Sequence, residues 1–553
     1  MADNILEYSI YPVLGLKTDV PANSEGLFVP VSNNSAMVYD TGGINIDYTR
    51  KRQTCTKAKG YVAISTANSQ ATKCLGLFQT LPTSNNNNKI MIDNGKFYYI
   101  DKATLTPTAV EDSDTTTFAN NNIDLYTFIQ IGDYVVFTDR GEHTPYKWMD
   151  GDSTLSKLIA SGTEYKFRYI ESFQRRVIGV YSDQTNGDIE VRYSTSWPST
   201  DISALNFPAT NQLYIPNDDS ITGIKRMGRD RCFIYSENSI HSLDYYPDYE
   251  SPFYLRNVND GQGAAGNHAI VNLGDRHYLF NRNYGFCEFR GTEFPYGGSP
   301  ISKDIESDVQ TINSTVYETM CGTYVPFTRE VCWAVPLGGA GYPTHLLFYN
   351  VDTKQWRKED KKMRYVDSWD THLDYTWEDF IVDLGGTGST WPTSSTAYWG
   401  SYTSEMGRLV YAYEDGIVYA HYGDHYASSN HEGYREEPIL DFGDSKRFDL
   451  LGEIWFDMGY NITEGDEEFP NDAICGILVW HRSGDTVGEL EGQTFTLIGS
   501  FPLTTTSQSI PVKPMVRCNK SARLHQIAWG NRVYNSKFEV HKITFKYIPQ
   551  SRF

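Results

Sequence analysis

Three pairs of adjacent carboxylates are the residues of this chain whose chemistry first suggests catalysis: Asp218-Asp219, Glu436-Glu437 and Glu467-Glu468. Glycosidases place two carboxyl groups on either side of the bond they cleave. Adjacent residues of a β-strand point to opposite faces of the sheet, so the two members of such a pair cannot flank one bond. We therefore interpret the three pairs as exposed charges in turns, although acids far apart in sequence could still converge in the folded chain.

The densest histidine group is His421, His425 and His431. On a helix, His421 and His425 would share a face and could bind zinc. Here they flank Gly423-Asp424, which indicates the end of a strand and a turn, so we interpret them as solvated turn residues. Residues 183–188 resemble a calcium loop but lack the distal bidentate Glu, and a polar turn explains them better.

Nucleotide and nucleophile motifs are absent from the sequence. The closest match is the glycine-rich segment 261–266, which carries no Lys-Ser/Thr and is not followed by a helical pattern. No G-x-S-x-G motif is present either. We therefore predict no enzymatic activity, no catalytic residue, no cofactor and no metal site.

The charge of the chain is strongly negative, at −21 for 553 residues. This argues against a protein that wraps or reads nucleic acid, because such proteins need a basic face. The strongest local positive charge is carried by Arg50, Lys51, Arg52, Lys57 and Lys59. A solvated turn is the simpler interpretation of this stretch, and a contact with an acidic neighbouring subunit or with passing DNA is the alternative.

The hydrophobic pattern predicts an all-β chain. Short runs rich in Val, Ile, Tyr, Phe and Thr recur between turns that contain Gly, Asp, Asn or Pro, and helical periodicity is nearly absent. Successive hairpins follow one another at intervals of about 40 to 55 residues, which is typical of four-stranded propeller blades. We predict a β-propeller of about six to seven blades over residues 60–435, because radial packing buries both faces of such small sheets.

Three segments depart from the propeller pattern. Residues 1–59 are polar and extended, and they predict an N-terminal arm that packs on something else. Residues 366–400 contain glycine-rich and serine-rich stretches and predict an insertion. Residues 436–553 alternate apolar and polar positions and predict a C-terminal β-sandwich.

Cysteine usage and the N-terminus favour a protein made in a cytoplasm. The eight cysteines form no C-x-x-C pair and lie mostly in apolar runs, so we expect them to be reduced and buried. No basic segment followed by an apolar one opens the chain, and no apolar run reaches the length of a membrane helix. We therefore expect no membrane segment.

The order of several short segments resembles that of tail-hub propellers from tailed bacteriophages. Residues 14–21 resemble a "GL-x-T-D-x-P" opening. Residues 233–241, 261–264, 274–291 and 300–305 follow in the order strand, glycine-rich connector, strand pair and "pIs-x-x-I" segment. Asn283-Tyr284-Gly285 stands where this pattern has Asp-Gly. The family includes tail nozzle proteins and packaged-DNA stabilisation proteins of short-tailed phages.

The resemblance implies a structural virion protein that forms a ring, usually a hexamer, below the portal and the adaptor or head–tail connector proteins. Such a ring continues the channel for double-stranded DNA, retains the packaged genome, supports its ejection and offers outer surfaces to tail fibres or spikes. Assembly would take place in the cytoplasm of the bacterial host. An acidic channel wall would repel DNA phosphates, which agrees with the net charge.

Two other functions remain open at this point. One is a propeller that binds or cleaves a host surface glycan. The other is an intracellular scaffold propeller.

Overall fold

The computed structural model describes residues 5–22, 24–48, 55–58, 60–68, 73–81, 88–100, 105–112, 118–121, 123, 125–159, 164–181, 189–197, 202, 205–216, 219–247, 249, 251–292, 300–369, 407–421, 433–442, 447–458, 476–502, 513–531 and 538–550. The chain is built almost entirely of strands, which confirms the predicted all-β class. Within these residues, no helix is long and apolar enough to span a membrane.

Six strands precede the first propeller blade: β1 (Leu6–Tyr11), β2 (Phe28–Ser32), β3 (Ser35–Val38), β4 (Ile46–Asp47), β5 (Cys55–Lys57) and β6 (Tyr61–Ala63). Blade 1 contains β7 (Cys74–Gln79), β8 (Lys89–Asp93), β9 (Lys96–Ile100) and β10 (Pro107–Asp112), and blade 2 contains β11 (Thr127–Ile131), β12 (Tyr134–Thr138), β13 (Tyr146–Met149) and β14 (Thr154–Lys157). Blade 3 contains β15 (Phe167–Phe173), β16 (Arg176–Tyr181), β17 (Glu190–Tyr193) and β18 (Gln212–Tyr214), and blade 4 contains β19 (Ile221–Met227), β20 (Arg231–Ser236), β21 (Ser239–Tyr245) and β22 (Phe253–Asp260).

Blade 5 contains β23 (Val271–Asn272), β24 (His277–Asn281) and β25 (Gly285–Phe289). Blade 6 contains β26 (Cys321–Val325), β27 (Glu330–Val335), β28 (His345–Asn350) and β29 (Trp356–Asp360), and blade 7 contains β30 (Tyr365–Trp369), β31 (Arg408–Ala412) and β32 (Val418–His421). The remaining strands are β33 (Gly433–Glu436), β34 (Asp449–Met458), β35 (Gly476–Gly484), β36 (Thr496–Pro502), β37 (Met515–Ala522), β38 (Leu524–Asn531) and β39 (Glu539–Pro549). Two short α-helices, α1 (Glu306–Gln310) and α2 (Val487–Glu491), and 3-10 turns at Glu25–Leu27, Asn267–Ala269, Lys303–Ile305 and Ser314–Thr319 complete the described elements.

Seven blades surround one axis in the described part of the chain. The innermost strands of blades 2 to 7 contact one another in succession, and β30 of the last blade contacts β7 of the first. The ring of Phe78 in β7 stacks on that of Phe128 in β11, with centroids 5.4 Å apart. The N-terminal strand β6 joins the last blade as its outermost strand, with Tyr61 opposite His421 and Ala63 opposite Tyr419. A strand from before the first blade therefore closes the ring, and the predicted propeller is confirmed with seven blades.

The blades follow from local sequence chemistry. The inner strand β11 alternates buried and half-buried positions, whereas the next strand, β12, is almost wholly buried because sheets pack on both of its faces. Gly132, with a φ of 59°, supplies the turn that joins the two strands.

The β-sandwich consists of two sheets. One has the order β2-β3-β1-β39-β34-β37, with β5 on β39 and β4 on β5, and the other has the order β33-β38-β35-β36. The core between them contains Ile10, Phe456, Trp529 and Phe545, none of which is measurably exposed. The first and last strands of the chain thus share one sheet, in which Leu6 pairs with Tyr547 and Ile10 with Ile543.

The observed domain boundaries differ from the sequence prediction in three places. Residues 1–59 were expected to be an arm, yet five strands between residues 6 and 57 belong to the sandwich. β1 and β5 join this sheet by pairing with β39 at the far end of the chain, so no local pattern reveals the pairing. The predicted insertion 366–400 begins inside β30, and its residues 370–400 lie outside the described residues. The sandwich begins at β33, shortly before the predicted residue 436.

All seven described cysteines are buried and none of them forms a disulfide, as predicted. Cys475 lies outside the described residues.

Candidate interaction face

The turns that follow the innermost strands lie together on one face of the propeller. Innermost strands of neighbouring blades run in the same direction, so each strand ends at the same face. In blades 3, 4 and 5 these turns are residues 174–175, 228–230 and 273–276. Each of the three turns carries or adjoins arginine.

Four arginines in or beside the turns of blades 3 and 4 are exposed and have no acidic side chain within ion-pair distance among the described residues. They are Arg175, Arg226, Arg229 and Arg231, and we call them the arginine face. Such a group of exposed guanidinium groups is unusual in a chain with a net charge of −21. Guanidinium groups recognise carboxylates and phosphates through paired hydrogen bonds, so this face has the chemistry of an anion-binding surface.

The turn that presents Arg175 has a costly backbone conformation. Gln174 and Arg175 both have positive φ, at 49° and 54°, which a two-residue hairpin turn requires and which Asn-Gly adopts most easily. The carbonyl of Arg175 accepts a hydrogen bond of 3.1 Å from the amide of Trp197. The turn is therefore held in place, and the Arg175 side chain is projected outward at a fixed position.

Contacts between blades hold these turns together. The amide of Arg226 donates to Oε2 of Glu171 in blade 3 at 3.3 Å, and its carbonyl accepts from Nδ2 of Asn272 in blade 5 at 2.7 Å. Nη1 of Arg231 donates to the carbonyl of Arg290 at 3.4 Å. The arginine face thus extends over blades 3 and 4 and is hydrogen-bonded to blade 5.

Other arginines beside this face are neutralised locally. Arg276 pairs with Asp275 and Glu288 at 2.7 Å each, and Arg290 pairs with Glu288 at 2.9 Å. The Arg276 guanidinium lowers the pKa of Asp275. Because Arg276 and Arg290 are ion-paired in this way, they do not belong to the arginine face.

The propeller axis beside this face contains a lysine that interacts with two carboxylates. Lys225 lies on β19, Glu171 on β15 and Asp367 on β30. The charges of both carboxylates favour the protonated form of Lys225. Burial raises the pKa of Asp367 to about 7, although Ser368 N and Trp369 Nε1 donate to its carboxylate. Burial also lowers the pKa of Lys225. Blades 4 and 7 are not neighbours, so these charges meet across the axis.

The axis is narrow. The His268 ring lies 6.4 Å from the Tyr169 ring of blade 3 and 5.9 Å from the Tyr365 ring of blade 7, and its Nε2 donates to the carbonyl of Tyr126 at 2.9 Å. The His268 imidazole alone thus spans the space between blade 3 and blade 7. Farther along, Glu318 bridges Arg140 and Arg168.

The basic residues singled out from the sequence do not form this face. Arg50, Lys51, Arg52 and Lys59 lie outside the described residues. Lys57 lies in β5 of the sandwich and is only 6% exposed. Its aliphatic stem lies against Gly433, where an added Cβ would approach Lys57 Cγ to 2.9 Å. Lys57 is therefore buried in this chain.

Two sequence interpretations are corrected by burial. Glu437, interpreted as an exposed turn charge, is fully buried and bonded to Arg435 and Trp529. His421, interpreted as a solvated turn residue, is 7% exposed in β32, with Nε2 at 3.5 Å from Glu359 Oε1. His425, His431, Asp218, Glu467 and Glu468 lie outside the described residues.

The positions of the arginines along the sequence are a signal for the arginine face, although the net charge of the chain gives no sign of it. Arginine recurs in the turns that open successive hairpins, at Arg175, Arg229, Arg231, Arg276 and Arg329. Only the blade topology shows that such turns share a face.

Comparison with known proteins adds no family. No family model matches the chain, and no curated protein does. Among solved structures, the chain is similar to the extracellular domain of a one-component system from B. thetaiotaomicron (TM-score 0.38, 9% identity, 73% of this chain and 44% of that one). It is also similar to the CNH domain of AfRom2, with a TM-score of 0.35, 10% identity and coverage of 65% of this chain and 98% of that one. A chain of the mitotic checkpoint complex gives a TM-score of 0.36, 9% identity and coverage of 68% of this chain and 94% of that one. The chain thus spans less than half of the first of these proteins, and none of the three likenesses bears on function.

Proposed function

We propose that this protein is a structural subunit of a bacteriophage tail, a nozzle or hub ring below the portal and adaptor. The observation that carries the proposal is that two segments of the phage-tail resemblance, residues 14–21 and 300–305, meet in space. The amide of Thr18 donates to the carbonyl of Asp304 at 2.7 Å, and Lys17 Nζ lies 3.4 Å from Asp304 Oδ1.

This meeting point joins the sandwich to the propeller. The amide of Leu16 donates to the carbonyl of Trp356 in blade 6 at 2.8 Å. A Cβ on Gly15 would lie 2.8 Å from that same carbonyl, so only glycine allows this approach. The resembling motifs therefore have a shared mechanical role, which suits a ring that must keep its shape while DNA passes.

The DNA channel of such a ring would lie between copies of the chain. The propeller axis is only one imidazole wide at His268, far too narrow for a duplex. A ring of subunits, which we propose to be a hexamer, would surround the channel. Adaptor proteins and tail fibres would bind the two ends and the outer surface, and the acidic surplus would keep DNA from adhering.

Electron microscopy of the purified protein tests this function. We expect rings in negative stain, either of the protein alone or after mixing with a portal–adaptor complex from the same phage. Sedimentation velocity should give a mass close to a small multiple of 62.9 kDa. A monomer that joins neither itself nor the portal–adaptor complex would contradict the proposal.

A glycan-binding function is the second candidate, because three exposed tyrosines form a cluster at the edge of blade 4. Tyr246, Tyr249 and Tyr254 are 47%, 61% and 44% exposed. Their ring centroids lie 5.6 to 6.0 Å apart in edge-to-face arrangements. Exposed aromatic faces with hydroxyl groups suit sugar rings, which present both C–H and O–H groups.

Glycan-array binding tests this second function. Under it, Tyr249→Ala should abolish binding to a host surface polysaccharide, whereas Tyr214→Ala, which removes a tyrosine of similar exposure outside the cluster, should not. Release of oligosaccharides from that polysaccharide would indicate cleavage. Equal binding by both variants would remove the tyrosine cluster as a glycan site.

A further inference from the structure

An acidic projection on the sandwich matches the arginine face in charge. Asp485, Glu489 and Glu491 lie in and beside α2, all three are exposed, and none has a basic side chain within ion-pair distance among the described residues. We call these three residues the acidic knob. Leu497, 53% exposed at the start of the adjoining strand β36, supplies an apolar surface beside it.

The acidic knob is anchored to the sandwich. Leu490, next to Glu489 and Glu491 in the chain, is fully buried and packs with Ile439 and Leu524. A Cβ on Gly484 would lie 2.9 Å from the backbone of Leu490, so the short helix is pressed against β35. Positions of charge that are fixed in advance bind without a large loss of side-chain and loop entropy.

The knob and the arginine face do not satisfy each other within one chain. The helix α2 contacts the sandwich strands β35 and β38, whereas the arginine face lies in and beside the turns of blades 3 and 4. Both surfaces therefore have unmet charge among the described residues. Contact between different surfaces of two identical chains propagates from copy to copy, and it forms a closed ring when the rotation permits.

The arginine face favours a protein carboxylate over a nucleic acid. Glu171 and Asp230 lie within it, and the chain as a whole carries 69 acidic against 48 basic residues. Such a field repels a polyphosphate at long range, whereas a protein surface can interleave its own charges with these acids.

We propose that the arginine face of one copy binds the acidic knob of the next copy. This inference rests on the proposed ring, and it names the two surfaces that join the subunits. Pairing these arginines with the knob removes the basic groups from solvent and leaves the acidic surplus exposed on the assembled ring.

Charge-reversal variants test the pairing. Arg229→Glu with Arg231→Glu reverses the face, Glu489→Lys with Glu491→Lys reverses the knob, and a third variant carries all four substitutions. Sedimentation velocity at about 50 mM and about 500 mM salt should show that wild-type assembly weakens at high salt. Each two-residue variant should weaken self-association by about tenfold or more at low salt, and the four-residue variant should regain it. Arg256→Glu, on the outer strand of blade 4, is the matched control and should assemble like wild type.

The outcomes separate this inference from the proposed function. Wild-type rings that persist unchanged in both two-residue variants would overturn the pairing and leave the ring intact. A four-residue variant that folds by circular dichroism but does not regain assembly would also overturn the pairing. A wild-type chain that never assembles would overturn both proposals. Duplex DNA of about 30 base pairs, bound by wild type and lost on Arg229→Glu with Arg231→Glu, would reassign the face to nucleic acid.

Discussion

Arg435 and Glu437 form an ion pair of 2.9 Å in which neither side chain has any exposed surface. Two residues apart on an extended chain, they point to the same side. The remaining guanidinium N–H groups donate to the carbonyls of Leu14 at 3.2 Å and Val38 at 2.9 Å. The pair thus links strands from the two ends of the chain.

Removing the negative charge of this pair should destabilise the protein strongly. In Glu437→Gln the buried Arg435 loses its ion-pair partner, and we expect a loss of about 3–5 kcal/mol in the free energy of unfolding. Urea unfolding followed by tryptophan fluorescence measures this loss, because Trp529 Nε1 donates to Glu437 at 2.7 Å. Arg256→Ala breaks an exposed pair with Asp244 and should change stability by less than about 1 kcal/mol. Equal effects of the two variants would contradict the structural role of the buried pair.

The glycine-rich segment 261–266 has a packing role at Gly263. A Cβ there would lie 1.9 Å from the backbone carbonyl of Ser236, and backbone cannot move aside as a side chain can. Gly263→Ala should therefore lower the free energy of unfolding by about 1–3 kcal/mol or more. Gly266→Ala is the control, because its Cβ meets nothing closer than 3.6 Å. The thermal unfolding midpoints of the two variants measure this difference. A Gly263→Ala variant that unfolds at the wild-type temperature would contradict the packing role.

The sequence predicts the blades because each depends on neighbouring residues. A hairpin such as β11–β12 shows its apolar runs and its turn within about a dozen residues. The pairing of β1 with β39 and the closure by β6 depend on residues hundreds of positions apart, and the short strands β4 and β5 leave almost no local pattern.

The site is harder to predict than the fold. Residue type does not reveal burial, so Lys57 and Glu437 look exposed in the sequence although both are buried. Arg175 and Arg229 are visible in the sequence as turn residues, but their common face depends on the direction of the innermost strands.

The axial carboxylate Asp367 should make stability fall as pH rises toward neutrality. Its pKa is about 7 in the folded protein against 3.8 ordinarily, so the folded chain holds a proton that the unfolded chain releases in this window. The stabilising contribution is complete below about pH 3.8 and is lost as pH rises through about 7. Asp367→Asn should remove this contribution, so that on going from pH 5 to pH 8 its unfolding free energy shifts toward greater stability relative to the wild-type change. Asp133→Asn, in a propeller turn, is the control, and an unchanged profile in Asp367→Asn would contradict the assignment.

A buried histidine pair in the sandwich should have the opposite pH dependence. His525 Nε2 donates to the carbonyl of Asp449 at 3.2 Å, so its Nδ1 is left to accept from His481 Nε2 at 3.0 Å. His525 is therefore neutral, and its protonation would place two N–H groups against each other.

Burial is the main cause that lowers the pKa of His481 to about 3 and of His525 to about 4. The unfolded chain takes up protons near pH 6.5, so it binds more protons than the folded chain between about pH 6.5 and these lower values. The stability provided by the neutral pair is present above pH 6.5 and is lost as pH falls, by about 1 kcal/mol per pH unit for each histidine. Urea unfolding at pH 7, 6 and 5 should show a steep loss in wild type and a shallower one in His481→Gln. His541→Gln, which removes a histidine with a 42% exposed side chain, should keep the wild-type slope. A slope that His481→Gln leaves unchanged would show that the pair does not control acid stability.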